Sequence, residues 1–251
     1  MKHVMTNESK KYPLRVAKFI AQSGIASRRQ AEKMIIEKRV NVDGKIIESA
    51  ALNIDKDSKV KVDGKEIFKQ NKLRVWSLFK PNGIIVTNTD SKKRKTIYDI
   101  LPNNLKKIIS IGRLDINSEG LILLTNSGEF SRYLELPVNN FERQYKVRVR
   151  GNIDIKKIKL IENGITIDGV NYSKNKITIG KKTGVNSWLS ITLKEGKNRE
   201  IRKLFSYIDL SVNRLIRISY GPFKLDDMKK GELREIPSNF LKKNFENHFY
   251  L

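Results

Sequence analysis

The spacing of apolar positions changes character along this chain, and the changes mark out its elements. From Leu14 to Ala21 the apolar residues recur at helical intervals and stop near Gly24. Ser27 opens a second helical stretch, and Gln30 three residues later fits a capping box. Along that stretch Ala31, Met34 and Ile35 share one side, which leaves Arg28, Arg29 and Lys33 for solvent or phosphate. The period then shortens to two. Val40-Asn41-Val42-Asp43-Gly44-Lys45-Ile46-Ile47 has the Asp-Gly signature of a tight hairpin, and the phrase returns as Val60-Lys61-Val62-Asp63-Gly64-Lys65-Glu66-Ile67. Two helices and two small hairpins predict a compact unit over residues 13–70. It is preceded by a polar, disordered stretch over 1–12 and followed by a polar linker at 69–73.

From Leu73 short apolar runs alternate with Gly, Asn and Pro turns. Strands are expected at 74–79, 83–87, 121–125, 144–150, 188–193 and 213–219, and helices near 96–101, 129–135, 154–162 and 198–208. Regular strand–helix–strand spacing is missing, so the expectation is an α+β domain over 71–240 with a mixed, largely antiparallel sheet. Residues 241–251 form a polar and aromatic tail without a clear place.

Composition adds chemistry to this outline. The chain has 251 residues, of which 39% are hydrophobic and 31% charged, and 51 Lys and Arg outweigh 27 acidic residues to leave a net charge of +24. Such an excess repels itself, and a polyanion such as nucleic acid relieves the repulsion. With no cysteine, thiolate nucleophiles, disulfides and Cys-ligated zinc are excluded. The two histidines, His3 and His248, lie in terminal segments, which disfavours a histidine metal site or a Ser-His-Asp triad. No apolar run approaches a membrane span and no signal-peptide core is present, so a soluble cytoplasmic protein is expected. Carboxylates, Arg, Lys, Tyr and hydroxyls are left to carry any chemistry.

Three segments qualify. Gly112-Arg113-Leu114-Asp115-Ile116-Asn117-Ser118-Glu119-Gly120 leads straight into the apolar run Leu121–Leu124. In an extended stretch Arg113 and Asp115 project to one side and Leu114 to the other, which sets a carboxylate among cations just before a rigid element. An ordinary turn aspartate has the same spacing. In the second segment, Lys197-Asn198-Arg199-Glu200-Ile201-Arg202-Lys203, Asn198 is a candidate N-cap, and Ile201, Leu204, Phe205 and Ile208 form a core stripe. Arg199, Arg202 and Lys203 occupy the other faces, either solvated or delivered to a buried acid or to phosphate. The third, Arg143 to Val149, alternates as a strand with Tyr145 on its apolar face. Tyrosines so placed are usually core.

Together the segments resemble the RsuA/RluB branch of the ribosomal pseudouridine synthases, and the likeness covers nearly the whole chain. Residues 14–62 look like the RNA-binding domain first seen in ribosomal protein S-four. Lys80-Pro81-Asn82-Gly83 and Thr96 to Pro102 match the opening of the catalytic domain, Gly112 to Gly128 its aspartate motif, Gln144-Tyr145 its tyrosine motif, Asn198 to Arg202 its arginine motif, and Arg214 to Pro222 its closing strand. Ser118, Ser127 and Leu136 depart from the residues common in relatives without touching the aspartate, tyrosine or arginine. The resemblance implies a uridine-to-pseudouridine isomerase. Asp115 would be its catalytic carboxylate, Tyr145 the stacking partner of the flipped base and Arg202 the ion-pair partner of Asp115. Arg113 would fill the gap left in the RNA. Arg28, Arg29, Lys33, Lys197, Arg199 and Lys203 are the expected RNA contacts. Neither metal nor organic cofactor is implied, and the expected partner is ribosomal RNA bound by a monomer. The motif wording favours the large-subunit relatives. Small-subunit rRNA, or a non-catalytic rRNA-binding or ribosome-assembly protein on the same fold, are the alternatives.

Overall fold

The computed structural model describes residues 13–68, 72–105, 108–246 and 249. The expected disorder of residues 1–12, both histidines and part of the linker lie outside the described residues. Those residues fall into two compact units that part between Leu73 and Arg74.

In the first unit, β1 (Leu14–Arg15) pairs with β4 (Asn53–Ile54), and α1 (Val16–Gln22) packs on α2 (Arg28–Ile36). The capping box is formed: Ser27 Oγ accepts from Gln30 N, and Gln30 Oε1 accepts from Ser27 N. Strands β2 (Val40–Val42) and β3 (Lys45–Ile46) make the first hairpin, and β5 (Val60–Val62) and β6 (Lys65–Glu66) the second. They join in the order β3-β2-β5-β6. Each hairpin turns on an Asp-Gly pair with positive φ at both residues: 50° and 84° at Asp43-Gly44, 50° and 76° at Asp63-Gly64. Glycine supplies the second of these at no steric cost, and the turn's twist matches that of the strands. Val40, Val42, Val60 and Val62 all point inward onto Ile20, Ala31 and Ile35.

The second unit is built on a nine-stranded sheet. Its path is β13 (Lys176–Thr183), β14 (Asn186–Leu193), β10 (Arg143–Arg150), β15 (Ser211–Tyr220), β9 (Glu119–Thr125), β7 (Val75–Lys80) and β17 (Leu233–Glu235). Short strands β8 (Ile109–Ile111) and β16 (Phe223–Lys224) pair beside it, and β11 (Ile165–Ile167) with β12 (Val170–Tyr172) forms a separate ribbon. Every pairing in the sheet is antiparallel except β15 with β9, so the sheet is mixed and largely antiparallel as expected. One face carries the main core. Tyr145, Val147 and Val149 of β10, Leu189 and Ile191 of β14, and Ile122 and Leu124 of β9 pack with α4 (Ile155–Glu162) and α5 (Glu200–Tyr207). Helix α3 (Gly128–Glu135) and helix α6 (Ser238–Phe245) meet in an aromatic cluster. There Phe245 stacks on Phe223 at 5.7 Å and meets Phe130 edge-on at 5.0 Å. The tail that the sequence left unplaced thus begins as a helix with Leu241 and Phe245 buried.

Two expectations need correction. The strand at 83–87 reduces to a single parallel bridge, Ile85 with Thr96, because Ile85 N donates to Lys95 O and Ile85 O accepts from Ile97 N, just before a short 3₁₀ turn over Ile97–Ile100. The edge strand β13 was missed. Its apolar alternation stops after Ile177 and Ile179, and the rest of its Lys-rich sequence is polar and exposed.

Candidate active site

The segment carrying Asp115 is an irregular loop between β8 and β9, and its neighbours grip it by the backbone. At the end of β7 the Lys80 side chain is fully buried, and its ammonium donates to the carbonyls of Pro81 (3.0 Å), Ile116 (3.4 Å) and Ser118 (2.7 Å). Arg202 on α5 donates to Asn117 O at 2.9 Å and, from its other terminal nitrogen, to Val212 O at 3.0 Å. Gly112 N donates to Glu135 of α3 at 2.9 Å, and Gly83 N to Ile116 O at 2.9 Å. Within the loop, Ser118 N closes a turn on Asp115 O at 3.0 Å. Leu114 is buried, Arg113 is exposed and Asp115 is half-buried, its side chain 34% exposed. Four outside anchors therefore fix the backbone while the Asp115 carboxylate stays accessible.

Among the described residues the cation within ion-pair range of Asp115 is Arg199, at 3.8 Å, and not Arg202 as the motif implied. The cause is local. Arg199 has a left-handed backbone (φ 51°) immediately before α5, which turns its side chain toward Asp115, while the Arg202 guanidinium is committed to two carbonyls. Burial pulls Arg202 below its ordinary range, and Arg199 adds to the fall while Asp115 opposes it. Burial likewise pulls Lys80 down to about 8, against the attraction of Asp115 and Glu119. Asp115 thus faces three cations drawn from β7 and the α5 segment.

Asp115, Tyr145, Arg202, Arg199, Lys197 and Arg113 line one open cleft of about 1060 Å³. Tyr145 is 7% exposed, on the core face of β10, and forms part of the cleft wall. The Asn198 cap does not form. Arg199 takes the N-cap position, and the Glu200 carboxylate closes the turn by accepting from Lys197 N at 2.9 Å. Lys197, an expected RNA contact, is occupied within the protein: its ammonium reaches Glu195 at 2.6 Å and the Asn171 carbonyl. Lys203 is exposed on α5. Arg28, Arg29 and Lys33 belong to the first unit, exposed on α2, with Lys33 3.6 Å from Glu37.

Sequence reasoning missed the inner supports. Lys80 is one, although the Lys-Pro pair ending an apolar run hinted at a constrained position. Glu119 is another. Its side chain is 7% exposed, bound by Arg214 through two contacts at 2.9 and 3.0 Å and by Lys230 at 2.8 Å. Burial alone would raise its carboxyl, but these two cations bring it below the usual range. Glu200 is a third, pushed up to about 7 chiefly by burial, with nearby Glu195 adding to the rise. At the far end of the cleft Arg143 lies over the Tyr220 ring and donates to its hydroxyl at 2.7 Å. Gly120, φ 103°, seats β9 against β15, and a Cβ there would overlap the backbone of Arg217. Among the described residues no cluster of His, Cys, Asp and Glu suited to a metal ion gathers, and no helix is long and apolar enough to cross a membrane.

Comparison with known proteins bears on this geometry. Residues 74–207 match the family model described as RNA pseudouridylate synthase, and residues 14–60 match the S4 domain. An uncharacterised RNA pseudouridine synthase of Rickettsia felis is 47% identical over 91% of this chain and 99% of its own length. The ribosomal large subunit pseudouridine synthase B of Yersinia pestis is 36% identical over 84% of this chain and 68% of its own length. A crystal structure of a pseudouridylate synthase aligns with TM-score 0.65 and 26% identity, covering 92% of this chain and 99% of that one.

Proposed function

Because this chain belongs to the RNA pseudouridylate synthase family, we propose that it isomerises a specific uridine of large-subunit ribosomal RNA, with Asp115 as the catalytic carboxylate. The observation that carries the reading is the mounting of Asp115: a half-exposed carboxylate, 3.8 Å from Arg199, on a loop clamped by Lys80 and Arg202 and opening onto the cleft that Tyr145 lines. The large-subunit substrate comes from the named relative in Yersinia pestis.

Isomerisation breaks the bond from the ribose C1′ to N1 of the base, turns the base, and joins C1′ to C5; a proton leaves C5 and N1 gains one. A carboxylate serves this in either of two ways, by bonding to the sugar or by stabilising a cationic sugar as the base departs. Neither route is open to a stacked base, so the uridine flips out, at a cost of a few kcal/mol. Stacking on Tyr145 returns about 1–3 kcal/mol, and phosphate pairing with exposed cations supplies the rest. Arg113, exposed beside Asp115, enters the space the base vacates. Arg199 is the charge partner of Asp115, and Arg202 acts on the loop that carries it. Arg28, Arg29, Lys33 and Lys203 hold phosphates, which position rather than specify. The enzyme works in the cytoplasm as a monomer.

The test is tritium release from C5-labelled uridine in large-subunit rRNA. Asp115→Asn should lower release by roughly 10⁴-fold or more, the scale of losing a catalytic nucleophile. Equal release from both proteins would remove Asp115 from the mechanism. No release by the wild type from any rRNA would leave a binding protein in place of an enzyme.

A further inference from the structure

The core face of the large sheet is covered by α4 and α5, but over β13, β14, β10 and β15 the residues of the opposite face remain half-buried or exposed. Strand register lays this face out in rows. Lys176, Thr192, Gln144 and Ser219 form the first, and Thr178, Ser190, Lys146 and Ile216 the second. Trp188, Arg148 and Arg214 form the third, and Arg150 stands between Asn186 and Ser211 in the fourth. None of the four strands contains an Asp or Glu.

The charge arrangement is costly as it stands. Arg148 lies directly opposite Arg214, and like charges placed so destabilise a strand pair. Lys146, Arg148 and Arg150 repeat every second residue, so cations recur at about 7 Å along one strand. Among the described residues none of these three has an ion pair. Among the described residues the carboxylate that pairs with a cation of this face, Glu119, is already shared by Arg214 and Lys230. Trp188, half-buried, presents its ring beside this row, with the Arg214 guanidinium 6.0 Å from its centre.

We propose that this open face, centred on Lys146, Arg148, Arg150 and Trp188, is a second RNA-docking surface on the side of the sheet opposite the Asp115 cleft. It holds the sugar–phosphate backbone of a substrate segment other than the one that delivers the uridine. A polyanion removes the Arg148–Arg214 repulsion. Hydroxyls at Thr178, Ser190 and Thr192 suit phosphate and ribose oxygens, and the indole offers a stacking surface for one base. A lipid surface fits less well, because the face carries no cluster of exposed apolar anchors. The inference rests on the rRNA reading above and extends it: because the two faces look in opposite directions, a minimal stem-loop in the cleft does not reach this surface.

The experiment compares the wild type, the triple variant Lys146→Glu/Arg148→Glu/Arg150→Glu, and a control with the same charge change on exposed α4 and β12–β13 lysines, Lys156→Glu/Lys159→Glu/Lys174→Glu. Folding is checked by circular dichroism and thermal melting. Binding to a full-length large-subunit rRNA transcript is followed against salt, and turnover is measured on that transcript and on the shortest fragment still modified. On the transcript the first triple variant should raise KM by about tenfold or more at unchanged kcat. It should also make the log–log salt slope of binding shallower by about 2, matching two or three lost phosphate contacts. On the short fragment it should match the wild type. Unchanged KM and salt slope on the transcript would overturn the proposal. So would an equal effect from the control triple, an equal loss on the short fragment, or an equal loss of binding to polyglutamate. A wild type that binds the transcript but releases no tritium would instead sink the enzymatic reading, and the salt slopes would still decide the docking surface.

Discussion

Asp115 and Glu119 are two carboxylates one loop turn apart, and the fold treats them oppositely. Glu119 is 7% exposed and saturated, with both oxygens held at 2.8–3.0 Å by Arg214 and Lys230. Asp115 is 34% exposed and keeps one loose cation at 3.8 Å. At Asp115 the hydrogen bonds go to the backbone around it, and at Glu119 they go to the side chain itself. A carboxylate that must meet a substrate is positioned through its main chain so that its oxygens stay available. One that must hold a strand in place is used up by its partners.

This contrast sets what mutation should do. The largest effect is the loss of turnover in Asp115→Asn, which should occur with a melting temperature within a few degrees of the wild type, since no strong contact is removed. A large drop in melting temperature would mean that Asp115 is structural after all. Next, Glu119→Ala leaves Arg214 and Lys230 facing each other without their anion. It should cost about 3 kcal/mol in a urea melt, with near-normal kcat in the folded fraction. A cost below about 1 kcal/mol would erase the distinction between the two carboxylates.

Smaller effects probe the supports. Lys80→Met releases the Pro81, Ile116 and Ser118 carbonyls and should cut turnover about tenfold through loss of loop placement. Lys80 also has a pH signature. Its folded value, about 8, lies below the ordinary 10.5, so between pH 8 and 10.5 the unfolded chain binds the extra proton and stability rises with pH. The Met variant should lack that rise in melts across this window. Glu200 has the opposite sign. Raised from 4.5 to about 7, it keeps its proton in the folded chain, so its contribution is complete below pH 4.5 and fades as pH climbs through 7. Glu200→Gln should flatten the decline between pH 4.5 and 7, an effect of about 3 kcal/mol at most; identical melting profiles for Gln and wild type would show that the carboxyl is not held protonated.

Legibility in the sequence followed the same division. The two Asp-Gly hairpins and the α2 capping box were readable because turn chemistry is local, and the Ile201–Ile208 stripe because periodicity is. Asp115 was readable only in company, since its tripeptide is common and its meaning comes from motifs far along the chain. The supports were not readable. Lys80 and Glu119 are charged residues in the interior, where charge is disfavoured without partners, and apart from Pro81 those partners lie 36 to 111 residues away. The exchange of Arg199 for Arg202 beside Asp115 turned on one left-handed backbone residue, which motif spacing does not encode. The cationic rows of the large sheet were hidden likewise. Lys146, Arg148 and Arg150 showed as an alternating strand, but their opposition to Arg214 exists only in the paired register.

Gly120 has a consequence for how the sheet is assembled. It sits at the short parallel seam where β9 meets β15, and the Arg217 backbone occupies the space a side chain would need. Sliding β15 by one residue would bring Glu119 or Leu121 to that crowded point, where neither fits. The seam therefore works as a check on register: two distant stretches of chain can close in the correct alignment, and an off-by-one alignment meets a collision at the strand that follows the Asp115 loop.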